Sequence, residues 1–328
     1  MKKISKNILG IAAIASMGIS FSIADPGLVS AAPSNSTENN IKKEIKSNTS
    51  IEDWSNPFYD AGIIVGKNLD VPGIYAHTFT RFNSIKFEQY SVEADGSPTI
   101  TDSEALFVGK STLTNNTNND QTLTTDSFSK TISNSVENST THGFSFGQTA
   151  SAKFNVPLVG ETGVELSTEY NFSNTNENRK AESYTYTATP QTIKVPAHSA
   201  VEVIVNLNTA KINGNVKLLS LVDGRYDSKY NNMVGGSSGS LTEIAARALQ
   251  YDKNLNLSVN GVESQDKVYV VGRGNYAAEY GTEFAVTVRP VAKPSTFAAK
   301  SRSMVAENSK TTNEGYTYTV KPEVKKEQ

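Results

Sequence analysis

The chain has 328 residues, a formal net charge of −2 and no cysteine. The lack of cysteine excludes disulfides, a thiolate nucleophile and a cysteine-based zinc site. A charge so close to zero gives no general attraction to nucleic acid, so we expect no nucleic-acid partner.

The N-terminal residues 1–31 have the pattern of a secretory signal peptide. Basic residues precede an apolar run from Ile8 to Ile23, and small residues follow in VSAAPS. This order predicts export of the protein, with cleavage after Ala31 or Ala32. Residues 32–50 are rich in Asn, Ser and Lys, which predicts a flexible N-terminal arm.

Residues 51–90 hold the only tryptophan and many other aromatic residues, interrupted by prolines and glycines. This composition predicts a small, partly helical head domain, which residues 223–253 are a candidate to complete. Tryptophan and tyrosine offer a large contact area with a polar end, so this head is a candidate receptor or glycan patch, with Tyr59, Tyr75 and Tyr90 as candidate contacts. The alternative is that these aromatic side chains form a core.

Short β-branched and alternating segments follow, separated by turn residues. They predict long antiparallel strands in a central domain over residues 91–222 and a C-terminal β-sandwich part over residues 254–292. One helix is expected in SLTEIAARALQYD, with Ser240 or Thr242 as its N-cap. The predicted fold class is therefore mainly β.

Residues 143–172 form two alternating segments around a turn, and we call them the insertion segment. In a strand, alternate side chains point to opposite faces. One face is apolar and is formed by Phe144, Phe146, Ala150, Ala152, Phe154, Val156, Val164, Leu166, Tyr170 and Phe172. The opposite face is polar and includes Lys153, Glu165 and Glu169, while Pro157, Gly160 and Gly163 supply the turn.

The length of each arm fits a membrane. About 10 residues at roughly 3.3 Å each, tilted by about 40°, cross the apolar height of a transmembrane barrel. A lone hairpin leaves open edges in lipid and should not insert, whereas several protomers that contribute one hairpin each could close a barrel. The alternative is an amphipathic hairpin that always stays packed on the core of its own protein. On either interpretation, we expect the apolar face to pack against neighbouring Ser/Thr-rich strands in the soluble form.

Several segments together resemble one known family. TASAKFNVPLVGETGVELSTEYNFSNTNEN, IKVPAHSAVEVIVNLNTAKINGNVKL and GRGNYAAEYGTEFAVTVR occur in this order. They resemble the epsilon-toxin and mosquitocidal-toxin family of aerolysin-like β-pore-forming toxins, over about residues 91–290. The resemblance implies an elongated three-domain β protein that is secreted as a water-soluble protoxin.

The resemblance also implies a mechanism. An activating protease cleaves the protoxin, which binds an unidentified surface receptor on the target-cell membrane and assembles into a ring, typically a heptamer. Each protomer then inserts one hairpin, here the segment 143–172, with its apolar face toward lipid and Lys153, Glu165 and Glu169 toward the pore lumen. The family commonly loses a C-terminal peptide on activation, so residues 293–328 are a propeptide candidate. Basic residues in exposed linkers are the candidate cleavage sites: Lys43, Lys46, Lys293, Lys300 and Arg302.

The sequence contains no complete motif for a catalytic, cofactor or metal site. VGKST at Val108–Thr112 lacks the first glycine of a phosphate loop, since Glu104 stands in its place. The three histidines are scattered without a metal-binding motif. We therefore expect no enzyme activity, no catalytic residues, no cofactor and no metal, and the competing hypothesis is a secreted β-rich adhesin or glycan-binding module without pore activity.

Overall fold

A computed structural model describes residues 49–68, 77–160, 162–230, 234–260, 267–291 and 315–327. The described chain is mainly β, as the alternating sequence predicts. Two helices interrupt the strands: α1 (Asn56–Asn68) and α2 (Leu241–Tyr251). The signal peptide 1–31, most of the arm 32–50 and all five candidate cleavage residues lie outside the described residues.

The strands, in chain order, are β1 (Ser50–Asp53), β2 (His77–Ala94), β3 (Thr99–Asn115), β4 (Gln121–Thr124), β5 (Phe128–Ser145), β6 (Ser151–Asn155), β7 (Ser167–Asn171), β8 (Asn178–Ala188), β9 (Thr192–Val195), β10 (Ser199–Tyr230), β11 (Gly236–Ser240), β12 (Leu257–Ser258), β13 (Lys267–Pro290), β14 (Tyr316–Val320) and β15 (Glu323–Lys326). VGKST lies inside β3, in extended backbone rather than in a phosphate-binding loop.

Both helices begin where their sequences favour a helix start. In α1, Pro57 occupies the first turn, where its missing N–H costs no hydrogen bond. The α2 helix is the one that the sequence predicts, and its N-cap is Ser240, whose Oγ accepts a hydrogen bond from the N–H of Glu243 over 3.2 Å. Each helix buries one apolar face, and the two helices pack against each other.

The long strand β10 organises the main sheet. It pairs with β13 from Val201 opposite Pro290 to Asp223 opposite Lys267. On its other edge it pairs first with β3 and then with β2. The strands β10 and β13 bury Val, Leu and Ile side chains largely on alternate positions, and these side chains form one part of the core.

Beyond β13 the sheet continues through β5 and β8. From Arg273 to Glu279, β13 pairs with β5, and from Phe284 to Val288 it pairs with β14. Around this change of partner, Tyr186 of β8 reaches across to β13, and its buried hydroxyl accepts a hydrogen bond from the N–H of Gly281 over 3.1 Å. The side chain of Asn134 in β5 donates to the same hydroxyl over 2.7 Å.

The C-terminal residues form two strands on different parts of the sheet. The segment YTYTV forms β14, which pairs antiparallel with β13. The next strand, β15, pairs antiparallel with β8. The end of the chain therefore covers the hydrogen-bonding edges of two strands.

Candidate functional site

The insertion segment lies folded back on the main sheet as a small hairpin of its own. Its two strands, β6 and β7, form a separate two-stranded sheet, with Ser151 opposite Asn171 and Asn155 opposite Ser167. The strand β5 enters the segment as far as Ser145, and β8 begins a few residues after it. The segment is therefore framed by the two strands that lead into and out of it.

The apolar face of the insertion segment is turned inward. Phe154 is 4% exposed, and Ala152 and Val164 are half-buried. The other apolar-face residues are buried: Phe144, Phe146, Ala150, Val156, Leu166, Tyr170 and Phe172. Lys153, Glu165 and Glu169 on the opposite face are exposed to solvent.

Polar contacts hold β7 against the Ser/Thr-rich strand β5, where the sequence predicts that the segment packs. Asn138 of β5 donates from Nδ2 to the carbonyl of Glu169 over 3.1 Å and accepts from the hydroxyl of Thr168 over 3.0 Å. The hydroxyl of Thr140 donates to the carbonyl of Asn171 over 2.7 Å. These bonds tie the backbone of β7 to β5 through side chains.

Aromatic residues from other strands cover the apolar face, and sequence reasoning did not single out this role for them. The rings of Phe87 and Tyr90 in β2 lie 5.1 and 5.5 Å from that of Phe146. Tyr276 of β13 lies 5.2 Å from Phe154. No pattern in the sequence reveals these contacts, because they join strands that lie far apart in the chain.

The turn of the segment is fastened to the sheet. The hydroxyl of Tyr280 in β13 accepts from the N–H of Val159 over 2.7 Å and donates to its carbonyl over 3.1 Å. Gly160 has a φ of +92°, which favours glycine, and a Cβ built there would lie 3.7 Å from the Cβ of Thr282. At Gly163 a Cβ would lie 2.6 Å from Cγ2 of Val324, a residue of the C-terminal strand β15.

The three receptor-binding candidates have different environments. Tyr59 lies on α1 with 40% of its surface exposed, and its ring makes an edge contact with Phe82 at 5.5 Å. Tyr90 lies against the insertion segment, where its hydroxyl accepts a hydrogen bond from Nε2 of Gln148 over 2.9 Å. Tyr75 lies outside the described residues.

An ion-pair cluster connects the C-terminal strand to β8. Oε1 of Glu182 lies 2.8 Å from Nζ of Lys180 and 2.8 Å from Nζ of Lys326 in β15. The two ammonium groups lower the pKa of Glu182 to about 2. The carboxylate therefore remains charged and bound to the end of the chain at neutral pH.

Within the described residues, no cluster of His, Asp or Glu side chains has the geometry to hold a metal ion. None of the helices in the described part of the chain is long and apolar enough to cross a membrane.

Comparison with solved structures identifies the fold. The Mpp75Aa1.1 beta-pore-forming protein from Brevibacillus laterosporus is 23% identical, with a TM-score of 0.61 and coverage of 85% of this chain and 98% of its own. A non-toxic crystal protein from Bacillus thuringiensis is 16% identical (TM-score 0.47), with coverage of 75% and 99%. The parasporin-2 toxin of Bacillus thuringiensis, which recognizes cancer cells, is 22% identical (TM-score 0.30), with coverage of 64% and 73%. The Mpp75Aa1.1 match confirms the mainly β, aerolysin-like fold.

A search of curated proteins finds no match. The profile of a toxin family, however, matches residues 72–293, which is more than half of the chain and includes the whole insertion segment. This match confirms the resemblance noted in the sequence. The chain belongs to the Clostridium epsilon toxin ETX/Bacillus mosquitocidal toxin MTX2 family.

Proposed function

We propose that this protein is a secreted pore-forming toxin that inserts residues 143–172 into the membrane of a target cell. It is made as a protoxin, activated by proteolysis, bound at the cell surface and assembled into a ring, for which we expect seven protomers. The supporting observation is the apolar face of the insertion segment, whose residues are buried or half-buried in the soluble fold while Lys153, Glu165 and Glu169 on the opposite face meet water.

Burial of this face explains how one segment can serve two states. Each large apolar side chain is stabilised by about 1.5–3 kcal/mol when it leaves water, whether it enters a protein core or lipid. Moving from one to the other therefore costs little hydrophobic free energy. The backbone is the obstacle, because each unsatisfied amide or carbonyl in lipid costs several kcal/mol, and only a closed barrel removes the open edges.

A barrel of such hairpins would have the apolar outer surface and the polar interior of a transmembrane barrel. The apolar face would contact lipid, while Lys153, Glu165 and Glu169 would face a water-filled lumen. Their exposure to solvent in the soluble fold means that their charges stay hydrated in both states. No catalytic step is needed.

The C-terminal strands suggest what activation removes. With β14 and β15 in place, the edges of β13 and β8 are paired and closed to another chain. Val324 also lies against Gly163 at the turn of the insertion segment. Loss of residues 293–328 would open both edges and free the turn, which supports cleavage at Lys293, Lys300 or Arg302, while Lys43 and Lys46 are the N-terminal candidates.

The partner at the cell surface is a receptor that we place on the head, over residues 51–90 and 223–253. Tyr59 is the most exposed of the described candidates and lies on α1. Tyr90 contacts the insertion segment through Gln148, so a change there would affect insertion as well as binding.

A disulfide between the turn and the sheet tests the hairpin assignment. The variant Gly160→Cys/Thr282→Cys joins positions whose Cβ atoms would lie 3.7 Å apart, within the range of a disulfide. Trypsin-treated wild-type protein should release dye from susceptible cells and give a heat-resistant oligomer. The oxidised variant should bind these cells without releasing dye, and a reductant should restore release.

The reduced variant is the control for the strain of a non-glycine residue at position 160. Dye release by the fully oxidised variant would show that the segment does not insert. Binding of activated wild-type protein without conductance in planar bilayers made from target membranes would instead favour the adhesin or glycan-binding module.

A further inference from the structure

The insertion segment contains two pairing registers that do not continue into each other. We call the pairing of β5 with β8 the outer register; its last pair is Asn138 opposite Asn178. We call the pairing of β6 with β7 the inner register; its first pair is Ser151 opposite Asn171. If the outer register continued, Ser151 would face Glu165, six residues before Asn171.

The two registers meet at Phe172. Its carbonyl accepts a hydrogen bond from the N–H of Phe144 over 2.8 Å, as the outer register requires. Its N–H donates to the carbonyl of Ala150 over 2.9 Å, as the inner register requires. The chain between Phe144 and Ala150 departs from the ladder, and Gly147 with a φ of +69° allows it to turn. The loop between Phe144 and Ala150 therefore contains the extra residues that shift the inner register by six relative to the outer one.

A shift of six residues preserves the two faces of the hairpin. A shift by an odd number would place every apolar side chain opposite a polar one, whereas an even shift keeps apolar opposite apolar. The outer and inner registers are both compatible with the same amphipathic sequence. In the soluble fold the part of the segment next to the turn is paired in the inner register. This turn contacts Tyr280 and Val324.

We propose that the outer register replaces the inner one in the membrane, which creates an aromatic band that contacts the lipid interface. This inference rests on the proposed pore-forming function and concerns the same segment. The arms would run from Ser139 to Val156 and from Gly160 to Glu177, joined by Pro157–Val159. The loop between Val156 and Leu166, which are hydrogen-bonded in the soluble fold, would shorten from nine residues to three.

The new register gathers the aromatic residues at one level. Phe144 already faces Phe172 in the soluble fold, and the new register places Phe146 opposite Tyr170, which faces Ala152 in the inner register. From Phe146 to Val156 a tilted strand rises about 25 Å, the height of the apolar band of a barrel. Aromatic residues flank this band at the lipid interface in membrane barrels. Pro157–Val159 would then form an apolar tip at the far side.

Two cysteine pairs distinguish the registers in this cysteine-free chain. Ser151→Cys/Asn171→Cys reports the inner register, and Ser151→Cys/Glu165→Cys reports the outer one. All three positions lie on the polar face: Glu165 is exposed, and Ser151 and Asn171 are half-buried. Both variants should therefore fold. Each double variant is mixed with an excess of cysteine-free protein, activated and bound to cells that the wild type permeabilises. Copper phenanthroline then oxidises the soluble protein and the oligomer separately.

We expect the 151–171 bond in the soluble protein and the 151–165 bond in the oligomer. Oxidation of the 151–171 pair before activation should block dye release, and a reductant should restore it. An oligomer that releases dye but forms the 151–171 bond, or neither bond, would overturn the change of register. Absence of any oligomer or dye release from wild-type protein would instead reject the proposed function.

Discussion

In the proposed mechanism, residues of the insertion segment that share the apolar face have to fit a protein core in the soluble state and lipid in the inserted state. Phe154 illustrates the difficulty this makes for mutagenesis: at 4% exposure, it packs 5.2 Å from Tyr276. A charged residue there would leave an unpaired charge in the soluble core and destabilise the fold before insertion was tested. Ala152 lies on the same face as Phe154 but is half-buried. A charge at position 152 can therefore remain partly in water in the soluble fold and still face lipid in the inserted state.

We predict that Ala152→Asp abolishes pore formation while leaving the soluble fold intact. A carboxylate on the lipid face costs roughly 2–3 kcal/mol per protomer, and the cost is multiplied around the ring. The melting temperature and cell binding should stay close to those of the wild type, while dye release is lost. The matched control is Lys153→Asp, whose charge would face the lumen and should leave dye release in place. Equal release by both variants would contradict the assignment of the faces.

We predict that Tyr280→Phe loosens the turn of the insertion segment. The change removes two hydrogen bonds to Val159, worth about 1–3 kcal/mol together. Hydrogen exchange at residues 157–160 should become faster, and dye release after activation should begin sooner. Tyr276→Phe is the control, since the buried hydroxyl of Tyr276 has no hydrogen-bond partner among the described residues. If both variants behave alike, the hydroxyl of Tyr280 does not hold the turn.

At the scale of elements, the period-two pattern was the informative part of the sequence. It indicated which side chains of the insertion segment share a face, because parity is a local property of a strand. A different pattern predicted the α2 helix: an N-cap serine followed by apolar residues at helical spacing. Both features depend on residues close together in the chain.

The contacts of the segment depend on distant residues and were not predictable in the same way. Phe87 and Tyr90 lie in β2, whose pairing with β10 shifts at three irregular points, so its apolar residues do not keep a period of two. The aromatic residues of β2 therefore give no strand pattern in the sequence, although they lie on a long strand. The inner register was equally hidden, because an even shift preserves the hydrophobic pattern.

We predict that acid loosens the docking of β15 on β8. The pKa of Glu182 is lowered to about 2 by Lys180 and Lys326, below its ordinary value of 4.5. A lowered carboxyl pKa stabilises docking above about pH 4.5, and this stabilisation is lost as the pH falls from there toward 2. The pairs are partly exposed, so the effect should be about 0.2–1 kcal/mol.

Hydrogen exchange at residues 323–327, corrected for the intrinsic rate, measures this effect between pH 5 and pH 3. The Glu182→Gln variant is the control, because its side chain does not titrate and its exchange should be pH-independent in this range. A wild-type profile that matches the variant would mean that the ion pairs do not hold the strand.

At the scale of the whole molecule, the C-terminal strands contact each of the features that would change in the activation we propose. They cover the edges of β13 and β8, and they contact the turn of the insertion segment through Val324. An exposed strand edge is a template for pairing with another chain. Retention of these strands after cleavage should therefore be enough to prevent assembly, even when the peptide bond to them is broken.

A reversible tether tests this directly. Ala285 of β13 and Thr319 of β14 are opposite each other in the sheet, and both lie at accessible positions. We predict that oxidised Ala285→Cys/Thr319→Cys, after cleavage in the linker 293–302, remains monomeric and releases no dye because its tail stays docked. Addition of a reductant should release residues 303–328 and produce oligomers. The uncleaved variant with reductant is the control and should stay monomeric, whereas assembly of the cleaved, oxidised protein at the rate of the reduced one would show that the docked tail does not restrain it.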